Sequence, residues 1–215
     1  MEHRRQQRLD KIRNLMKEDI LDAAFQLILE KGISAVSIVE IAKRVDTSRV
    51  TIYKYFNSID EIIFHIQTKV LSELNVYRDF ETLTGQTGAE KLLSLLQRFV
   101  GMFQTHHEQI RFTAMFDHAY HGAYPSDMLH DMYRDFIRNM RLPLERLIAI
   151  GMEDGSLSKE VDPNILALTL EHSTLGLMQH LATRQNVFTN DSMEEDLLIL
   201  NQFIDTFMKS LTTSY

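Results

Sequence analysis

The stretch TSRVTIYKYFNSIDE, residues 47–61, combines two kinds of side chain that seldom stand so close together. Ile52 and Phe56 are four residues apart, on one face of a helix, which indicates a face buried in a core. Val50 is a third apolar residue at a spacing that suits a core. The hydroxyl groups, one Arg, one Lys and two Tyr are suited instead to a polar, negatively charged partner. We therefore predict a short helix that packs through one face and binds through the other.

Signals for the start of a helix surround this stretch. Two Ser-x-x-Glu segments, at 37–40 and 58–61, have the spacing of a capping box. In a capping box the hydroxyl and the carboxylate bond backbone N–H groups that the helix leaves unpaired. The polar run 46–48 interrupts the apolar pattern, and its Thr or Ser side chain can cap a short helix over 49–56. The sequence therefore predicts two helices joined by a tight turn.

A helix at 37–44, a turn at 45–47 and a helix at 48–55 have the dimensions of a helix-turn-helix. In that motif the second helix, the recognition helix, enters the major groove of DNA. Six apolar residues are expected to form the buried face of the pair: Ile38, Ile41, Ala42, Val45, Ile52 and Phe56. The predicted DNA-binding residues are Ser37, Thr47, Ser48, Arg49, Val50, Thr51, Tyr53, Lys54 and Tyr55. Among them, Arg49 is the candidate for a base contact, and Lys54 for a phosphate contact.

The rest of the chain also has helical periodicity, and its three prolines and eight glycines interrupt it rarely. The first helix is expected to start in the N-terminal arm and to end at Gly32. Pro143 is expected to kink or split one of the later helices. Those helices are predicted at about 60–78, 89–105, 107–121, 127–153, 163–184 and 193–212. The fold class is all-α, with an N-terminal three-helix domain that contains the helix-turn-helix, followed by a larger helical bundle.

The charge of the chain is unevenly distributed. Residues 1–70 carry 12 Lys and Arg against 10 Asp and Glu, whereas residues 71–215 carry 11 against 20. Residues 1–17 alone hold six basic and two acidic side chains. This distribution is typical of a protein that meets nucleic acid through an N-terminal module, within a net charge of −7. There is no cysteine, no apolar run of about 18 residues for a membrane span and no signal-peptide pattern, so we expect a cytoplasmic protein.

The run ILDAAFQLILEKGISAVSIVEIAKRVDTSRVTIYKYFNSIDEII, residues 20–63, resembles the TetR family of transcriptional regulators. The segments AAFQLILEKG, IAKRV and TIYKYFNS carry this resemblance together. It implies a DNA-binding domain over 1–65, including the basic arm 1–17, and an effector-binding and dimerisation domain over 66–215. Two positions depart from the family pattern. Asp46 stands at a turn position often filled by Gly, and Ile59 stands where a Lys usually contacts phosphate.

The resemblance also implies a function. A protein of this kind is a ligand-responsive repressor that binds a palindromic double-stranded operator as a homodimer. It is not an enzyme, and it needs no cofactor. No nucleophile elbow, phosphate loop or glycine-rich dinucleotide fingerprint is present in the sequence.

Phe and Met are concentrated between residues 99 and 140, and such side chains suit a cavity for an apolar or lipophilic effector. The same residues could equally fill the core of a helical bundle. The predicted ligand-binding residues are Phe99, Met102, Phe103, Phe112, Met115, Phe116, His118, Met132, Phe136, Met140, His172, Leu175 and Met178.

The last two predicted helices, 163–184 and 193–212, have broader apolar faces than one bundle needs. Pairing with a second copy would bury the excess. The predicted dimer-interface residues are Leu168, Leu181, Leu197, Leu200, Ile204, Phe207 and Leu211.

The alternative hypothesis is a helical small-molecule- or metal-binding protein without a DNA role. Its support is the His-His-Glu run at 106–108 and the Asp-His pair at 117–118. A carboxylate-bridged site would need repeated Glu-x-x-His pairs on facing helices, which the sequence lacks. No metal site is therefore predicted.

Overall fold

In the computed structural model, residues 2–75, 80–184 and 192–212 are described. Within these ranges the chain forms nine α-helices, two short 3₁₀ turns and no strand, which confirms the all-α class. A single antiparallel bridge joins Leu157 to Thr212. The helices are α1 Glu2–Lys31, α2 Ile38–Arg44, α3 Arg49–Ile52, α4 Ile59–Glu73, α5 Gly88–Thr105, α6 His107–Ala119, α7 Asp127–Glu153, α8 Pro163–Thr183 and α9 Met193–Leu211.

The observed helix boundaries follow the local signals in the sequence. Ser58 and Ser192 cap α4 and α9, because each hydroxyl accepts a hydrogen bond from the backbone N–H three residues later. Asp162 caps α8, which starts with Pro163 in the first position. The box formed by Thr87 and Glu90 at the start of α5 was not recognised in the sequence.

The helix α7 continues through Pro143, so of the expected kink or split the split does not occur. The proline costs the helix one backbone hydrogen bond. Leu144, Leu147 and Ile148 follow it directly and are buried in the core, so packing holds the helix together on that side. Tertiary burial therefore outweighs the local preference.

The described chain forms two compact units. The first comprises Met1–Ser72 and Met115–Tyr133, and the second comprises Glu73–Ala114 and Arg134–Tyr215. The first unit is thus larger than the N-terminal domain 1–65 expected from the sequence, because the end of α6 and the start of α7 group with it. The proposed domain boundary at 65/66 does not coincide with either unit boundary.

The first unit has its core where α1, α2, α3 and α4 meet. Ile20 and Ile28 of α1, Ile41 of α2, Ile52 of α3 and Ile62 of α4 are all fully buried. Burial of such aliphatic side chains contributes about 1.5–3 kcal/mol each relative to exposure. This core therefore holds the short α3 in place.

A second part of the same unit is an aromatic cluster formed by Phe64, Phe116, Tyr120, Tyr124 and Tyr133. The fully buried Phe64 ring of α4 lies at its centre, 4.9–6.0 Å from the centroids of the other four. These rings meet at steep angles, the edge-to-face arrangement that aromatic pairs favour. The cluster binds α4 to the segment 115–133.

Two hydrogen bonds accompany the aromatic cluster. The Tyr120 hydroxyl donates to Asp60 Oδ1 over 2.8 Å, and Gln67 Nε2 donates to the Tyr133 hydroxyl over 3.0 Å. Burial, together with the Asp60 carboxylate, raises the pKa of Tyr120 well above its ordinary value. Tyr120 therefore stays protonated at neutral pH and remains a donor.

The second unit is a helical bundle in which α5 packs against α9 and α8 packs against α9. Its core is aliphatic and includes Leu92 and Leu95 of α5, Leu147 of α7, Ala167 of α8 and Ile204 of α9.

The start of α5 and the end of α7 approach each other closely at two glycines. A Cβ at Gly88 would lie 2.2 Å from the Gly151 Cα, which no real pair of atoms tolerates. Asp154 and Ser156 complete this junction. The Gly88 N–H donates to Asp154 Oδ2 over 2.6 Å, and the Ala89 N–H donates to Ser156 Oγ over 2.9 Å.

The junction predicts opposite effects for two Gly→Ala substitutions in α5. Gly88→Ala should lower the free energy of unfolding by about 1–3 kcal/mol or more, because the new methyl group meets backbone atoms. Gly101→Ala is the matched control, because a Cβ at Gly101 meets nothing within 4 Å. It should stabilise the protein by about 0.5–1 kcal/mol through helix propensity. Denaturant unfolding measures both, and equal stability of the two variants would contradict the junction.

Candidate nucleic-acid interface

The helix α2 is held on α1 by two ion pairs. Arg44 Nη2 lies 2.8 Å from Glu30 Oε2, and Lys31 pairs with Glu40. The hydrogen bond from Arg44 lowers the pKa of Glu30, and that from Lys31 lowers the pKa of Glu40. Both cations are already paired with carboxylates, so they position α2 and are not available as free contacts for an anionic ligand.

The turn between α2 and α3 has the left-handed residue that a helix-turn-helix needs. Asp46 has φ 50°, in the region that glycine adopts most readily and Asp tolerates better than most residues. The Thr47 N–H then donates to the Ala42 carbonyl over 2.8 Å and closes the turn. Asp46 can therefore stand where related sequences often have Gly.

The helix α3 is shorter than expected, because it ends at Ile52 and not at residue 55 or 56. A tight turn replaces its last part, in which the N–H groups of Lys54 and Tyr55 donate to carbonyls three residues earlier. This tightening is common at the end of a helix. It still brings Phe56 into the core, where the side chain is buried.

The two faces of the 49–56 segment are separated as the sequence predicted, except at Val50. Ile52 and Phe56 are buried, whereas Val50 is 70% exposed and Tyr53 is 55% exposed. Val50 lies two positions from Ile52, about 200° around the helix, so its spacing does not bring it into the core. Arg49, Val50, Tyr53 and Lys54 are all exposed, at the helical spacing of one surface.

The remaining predicted DNA-binding residues have hydroxyl groups that are partly engaged. Ser37 forms the observed capping box with Glu40, and Ser48 Oγ accepts from the Thr51 N–H over 3.1 Å. Ser48 and Thr51 also share a hydrogen bond of 2.9 Å between their hydroxyl oxygens. Thr47, Thr51 and Tyr55 are half-buried. The primary role of these hydroxyls is to fix the ends of α2 and α3.

Three exposed cations on α2 and the 49–56 segment have no hydrogen-bond or ion-pair partner in the part of the chain that the structure describes: Lys43, Arg49 and Lys54. Lys43 is not among the DNA-binding residues predicted from the sequence. Its position in the last turn of α2, next to the predicted turn, was the available signal. The surface thus offers unpaired positive charge beside two exposed side chains, Val50 and Tyr53, that can make apolar contacts.

The predicted ligand-binding residues are divided between the two units. In the second unit Phe103, Phe112 and Met178 are buried, Phe99, Met102, Phe136 and Leu175 are half-buried, and His172 is exposed. In the first unit Phe116 is buried in the aromatic cluster, Met115 is half-buried, and His118 and Met132 are exposed. The Met140 side chain lies outside the described residues. The structure therefore does not bring this set together within one unit.

The second unit contains two grooves that involve other residues. One, of about 440 Å³, is lined by Thr84, Gly85, Glu90, Leu93, Ser94 and Gln97. The other, of about 250 Å³, is lined by Ala89, Glu90, Leu93, Asp205, Met208, Lys209 and Thr212. None of the predicted ligand-binding residues lines either groove.

The dimer prediction needs a correction at three positions. Leu200 and Ile204 are 1% exposed and Leu211 is buried, so these side chains pack inside their own chain and cannot meet a second copy. When apolar residues occur on more than one side of a helix, the sequence does not show which side is covered by the helix's own bundle. Leu168, Leu181, Leu197 and Phe207 are half-buried. The exposed apolar residues of α8 and α9 are instead Ile165, Leu198 and Ile199, with Met193 at the start of α9.

Among the described residues, no three His, Asp or Glu side chains are grouped closely enough to hold a metal ion. His106 is the C-cap residue of α5, and its Nδ1 lies 2.7 Å from the Thr105 hydroxyl. In the same part of the chain, no helix is long and apolar enough to cross a membrane.

Residues 20–66 match the family model of bacterial regulatory proteins, tetR family. This segment contains the buried part of α1, all of α2 and α3, and the first half of α4. No curated protein matches the chain.

Solved structures share the whole fold at low sequence identity. KstR2, a ketosteroid transcriptional regulator of Mycobacterium tuberculosis, is 16% identical with a TM-score of 0.67, covering 93% of this chain and 96% of its own. The fatty acid degradation regulator FadR of Bacillus halodurans is 17% identical with a TM-score of 0.66, and the match covers 87% of this chain and 93% of FadR. A protein of Saccharomonospora viridis in complex with choline is 19% identical with a TM-score of 0.66, and the match covers 94% of this chain and 100% of that protein. At these identities the likeness shows the fold.

The sequence match thus identifies a tetR-family segment at residues 20–66, and the solved structures show that the described chain as a whole shares the fold of such regulators.

The exposed face of the 49–56 segment predicts different roles for its two cations. Arg49→Ala should relax the preference for one base pair in each half-site, because a bidentate Arg–guanine contact contributes about 1–3 kcal/mol of discrimination. Selection of bound DNA from a random library with wild type and variant measures this. Identical selected sites would show that Arg49 does not read a base.

Lys54→Ala is the matched comparison, since it removes one exposed cation from the same surface. It should weaken binding to all sites alike and reduce the slope of log affinity against log salt by about one unit in each protomer, because one phosphate is no longer neutralised. A change confined to one base position would contradict a phosphate role for Lys54.

Proposed function

We propose that this chain is a TetR-family transcriptional regulator, a repressor that binds a palindromic operator as a homodimer and releases it when a small effector binds. The observation that supports DNA recognition best is the separation of faces in residues 49–56. The buried Ile52 and Phe56 direct Arg49, Val50, Tyr53 and Lys54 outward together. A surface with unpaired cations and an exposed Tyr suits the phosphates and base edges of a major groove.

The dimer part of the proposal is supported by exposed apolar residues on the last two helices. Ile165 of α8 is 55% exposed, and Leu198 of α9 is 65% exposed. Covering such residues with a second copy would remove apolar surface from water. Two-fold symmetry would then present two recognition helices to two half-sites, which a palindromic operator matches.

The effector is proposed to be a small, mostly apolar molecule bound by the second unit. Phe103, Phe112 and Met178 supply apolar side chains there, and Met adapts to irregular ligand shapes. Polar groups in the same interior are Thr113, which accepts a hydrogen bond from Gln179 over 3.1 Å, and Thr174, whose buried hydroxyl has no partner among the described residues. A fold relative crystallised with choline illustrates that this architecture accommodates small ligands.

Release of DNA requires that the effector bind one conformation more tightly than the other. The aromatic cluster and the Tyr120–Asp60 hydrogen bond are the contacts through which such a change would reach α4. Asp60 is in the first turn of α4, four residues after Phe56 at the end of the recognition segment. A shift of the segment 115–133 would therefore act on the helix that follows the recognition helix directly.

The experiment that tests the proposed function is selection of double-stranded DNA from a random library by the full-length protein. The expected result is an inverted repeat, with half-sites separated by about one helical turn or a multiple of it. Recovery of no enriched sequence at low salt would overturn the proposal.

The dimer proposal predicts that charge on the exposed apolar face separates the protomers. Ile165→Glu/Leu198→Glu should shift sedimentation from dimer to monomer and weaken operator binding, because a single half-site has fewer contacts. Leu93→Glu is the matched control, since Leu93 is an exposed leucine of the same unit on α5. It should leave the dimer intact. A double variant that remains dimeric would place the interface elsewhere.

The Tyr120–Asp60 hydrogen bond predicts a specific effect of removing one hydroxyl group. Tyr120→Phe keeps the ring in the cluster and should lower the free energy of unfolding by about 1.5–3 kcal/mol, the usual contribution of a hydrogen bond to a charged group. It should also weaken operator binding, because the first turn of α4 loses a constraint. Thermal or denaturant unfolding and operator titration measure the two effects.

Tyr124→Phe is the control, because the Tyr124 hydroxyl makes no hydrogen bond within the described part of the chain. The stability difference between wild type and Tyr120→Phe should stay constant between about pH 6 and pH 9, since the raised pKa keeps Tyr120 protonated there. Equal effects of both substitutions would mean that only the rings matter.

A further inference from the structure

The first helix extends well beyond the core that it helps to form. Its 30 residues start at Glu2, but the first fully buried side chain among those described is Ile20. Ile12 and Leu15 are 53% and 56% exposed, although they follow the apolar spacing of the helix. We call residues 2–17 the N-terminal segment; at 1.5 Å per residue it spans about 24 Å. Ile12 and Leu15 are therefore left largely uncovered by the other described residues of the first unit.

The N-terminal segment starts from the part of the first unit that carries the recognition helix. Lys17 Nζ lies 5.8 Å from the centroid of the Phe56 ring, and Phe56 ends the recognition segment. Immediately after Lys17 along α1, Glu18 and then Asp22 both pair with Lys69 of α4, over 2.7 and 2.8 Å. These contacts fix the C-terminal end of the segment beside the recognition helix.

The N-terminal segment contains more basic than acidic side chains. Residues 1–17 hold six basic and two acidic side chains. One of the acids, Asp10, accepts a hydrogen bond from Gln6 over 3.1 Å. Lys11 and Arg13 are exposed and have neither an ion-pair nor a hydrogen-bond partner among the described residues. An isolated helix of this length is marginal in water, and the like charges of Arg13 and Lys17, four residues apart, weaken it further.

We propose that the N-terminal segment is a second DNA-contacting surface, which binds the phosphates flanking each half-site. This inference rests on the proposed function and extends it. The segment has its C-terminal end beside Phe56, the last residue of the recognition segment, and its charge is complementary to the phosphate backbone. A phosphate that neutralises Arg13 also removes its repulsion from Lys17, which lies four residues later on the same face of the helix. Phosphate contacts carry no direct sequence information, so the segment adds affinity and footprint length without adding base preference.

The length of the N-terminal segment sets how far its contacts reach. About 24 Å corresponds to about seven base-pair steps of 3.4 Å. Affinity should therefore increase as flanking duplex is added to each end of the core operator, and should stop increasing after about seven base pairs.

The test uses Lys11→Ala/Arg13→Ala in the full-length protein, with the operator obtained by library selection. Binding is measured against salt concentration on two duplexes, the core operator alone and the operator with flanks of about ten base pairs. Wild type should bind the flanked duplex more tightly and with a steeper salt slope. The variant should lose this difference, with a slope lower by about one unit for each phosphate that is no longer neutralised.

Arg146→Ala/Lys159→Ala is the matched control, because it removes two exposed positive charges from the second unit and changes the net charge equally. It should keep the flank dependence of wild type. Circular dichroism of each variant checks that helix content is retained. Hydrogen exchange of residues 2–17 should slow when the flanked duplex is added and not when the core duplex is added.

The outcomes separate this inference from the proposed function. If wild type selects an operator but the variant keeps the same flank dependence and salt slope, the N-terminal segment does not contact DNA. If wild type binds no DNA, the proposed function itself fails. A basic helix with exposed Ile12 and Leu15 could also bind an anionic membrane surface. Binding to phosphatidylserine vesicles that Lys11→Ala/Arg13→Ala abolishes, with DNA binding unchanged, would overturn the proposal in favour of a membrane.

Discussion

The recognition surface depends on the burial of Ile52 and Phe56. The helix α3 has only four residues, and a helix of that length has no stability of its own. Its orientation is therefore imposed by the core of the first unit, into which these two side chains are inserted. The Ser48 cap and the left-handed Asp46 turn determine where α3 starts. Everything that the exposed face can contact follows from this anchoring.

Ion pairs within the chain determine which Lys and Arg side chains are still available to bind a ligand. Lys31, Arg44 and Lys69 all lie in the first unit, and each is engaged by carboxylates. The pairs are exposed, so each contributes little to stability. Their larger consequence is electrostatic, because among the described residues they leave Lys43, Arg49 and Lys54 as the unpaired cations around the recognition helix. Lys11 and Arg13 are likewise unpaired within the described part of the N-terminal segment.

The division into compact units relates DNA recognition to regulation. The segment 115–133 groups with α1–α4 because Phe116, Tyr120, Tyr124 and Tyr133 surround Phe64. The helices α6 and α7 each have one end in this unit, while their other ends belong to the second unit. Under the proposed function, an effector bound by the second unit would act on α4 only if it binds one conformation of the chain more tightly than another.

The sequence by itself determined the all-α class, the helix boundaries and the helix-turn-helix, because these depend on local interactions. Capping hydroxyls, the Pro after Asp162 and the four-residue spacing of Ile52 and Phe56 act within a few residues of each other. The Thr87–Glu90 box shows that even a local signal can be overlooked, and the early end of α3 shows that boundaries shift by a turn.

Tertiary structure alone decided which apolar residues face the interior and which cations are free. Val50 and Ile52 are both apolar and lie on opposite sides of one helix, and only packing against the rest of the first unit decides that Ile52 is the buried one. Leu200 and Ile204 similarly pack inside the chain, whereas Leu198 faces outward. The Tyr120–Asp60 hydrogen bond joins residues that are 60 positions apart in the sequence. Gly88 approaches Gly151, which lies 63 positions later. No local pattern encodes such contacts, because they exist only after separate helices have packed.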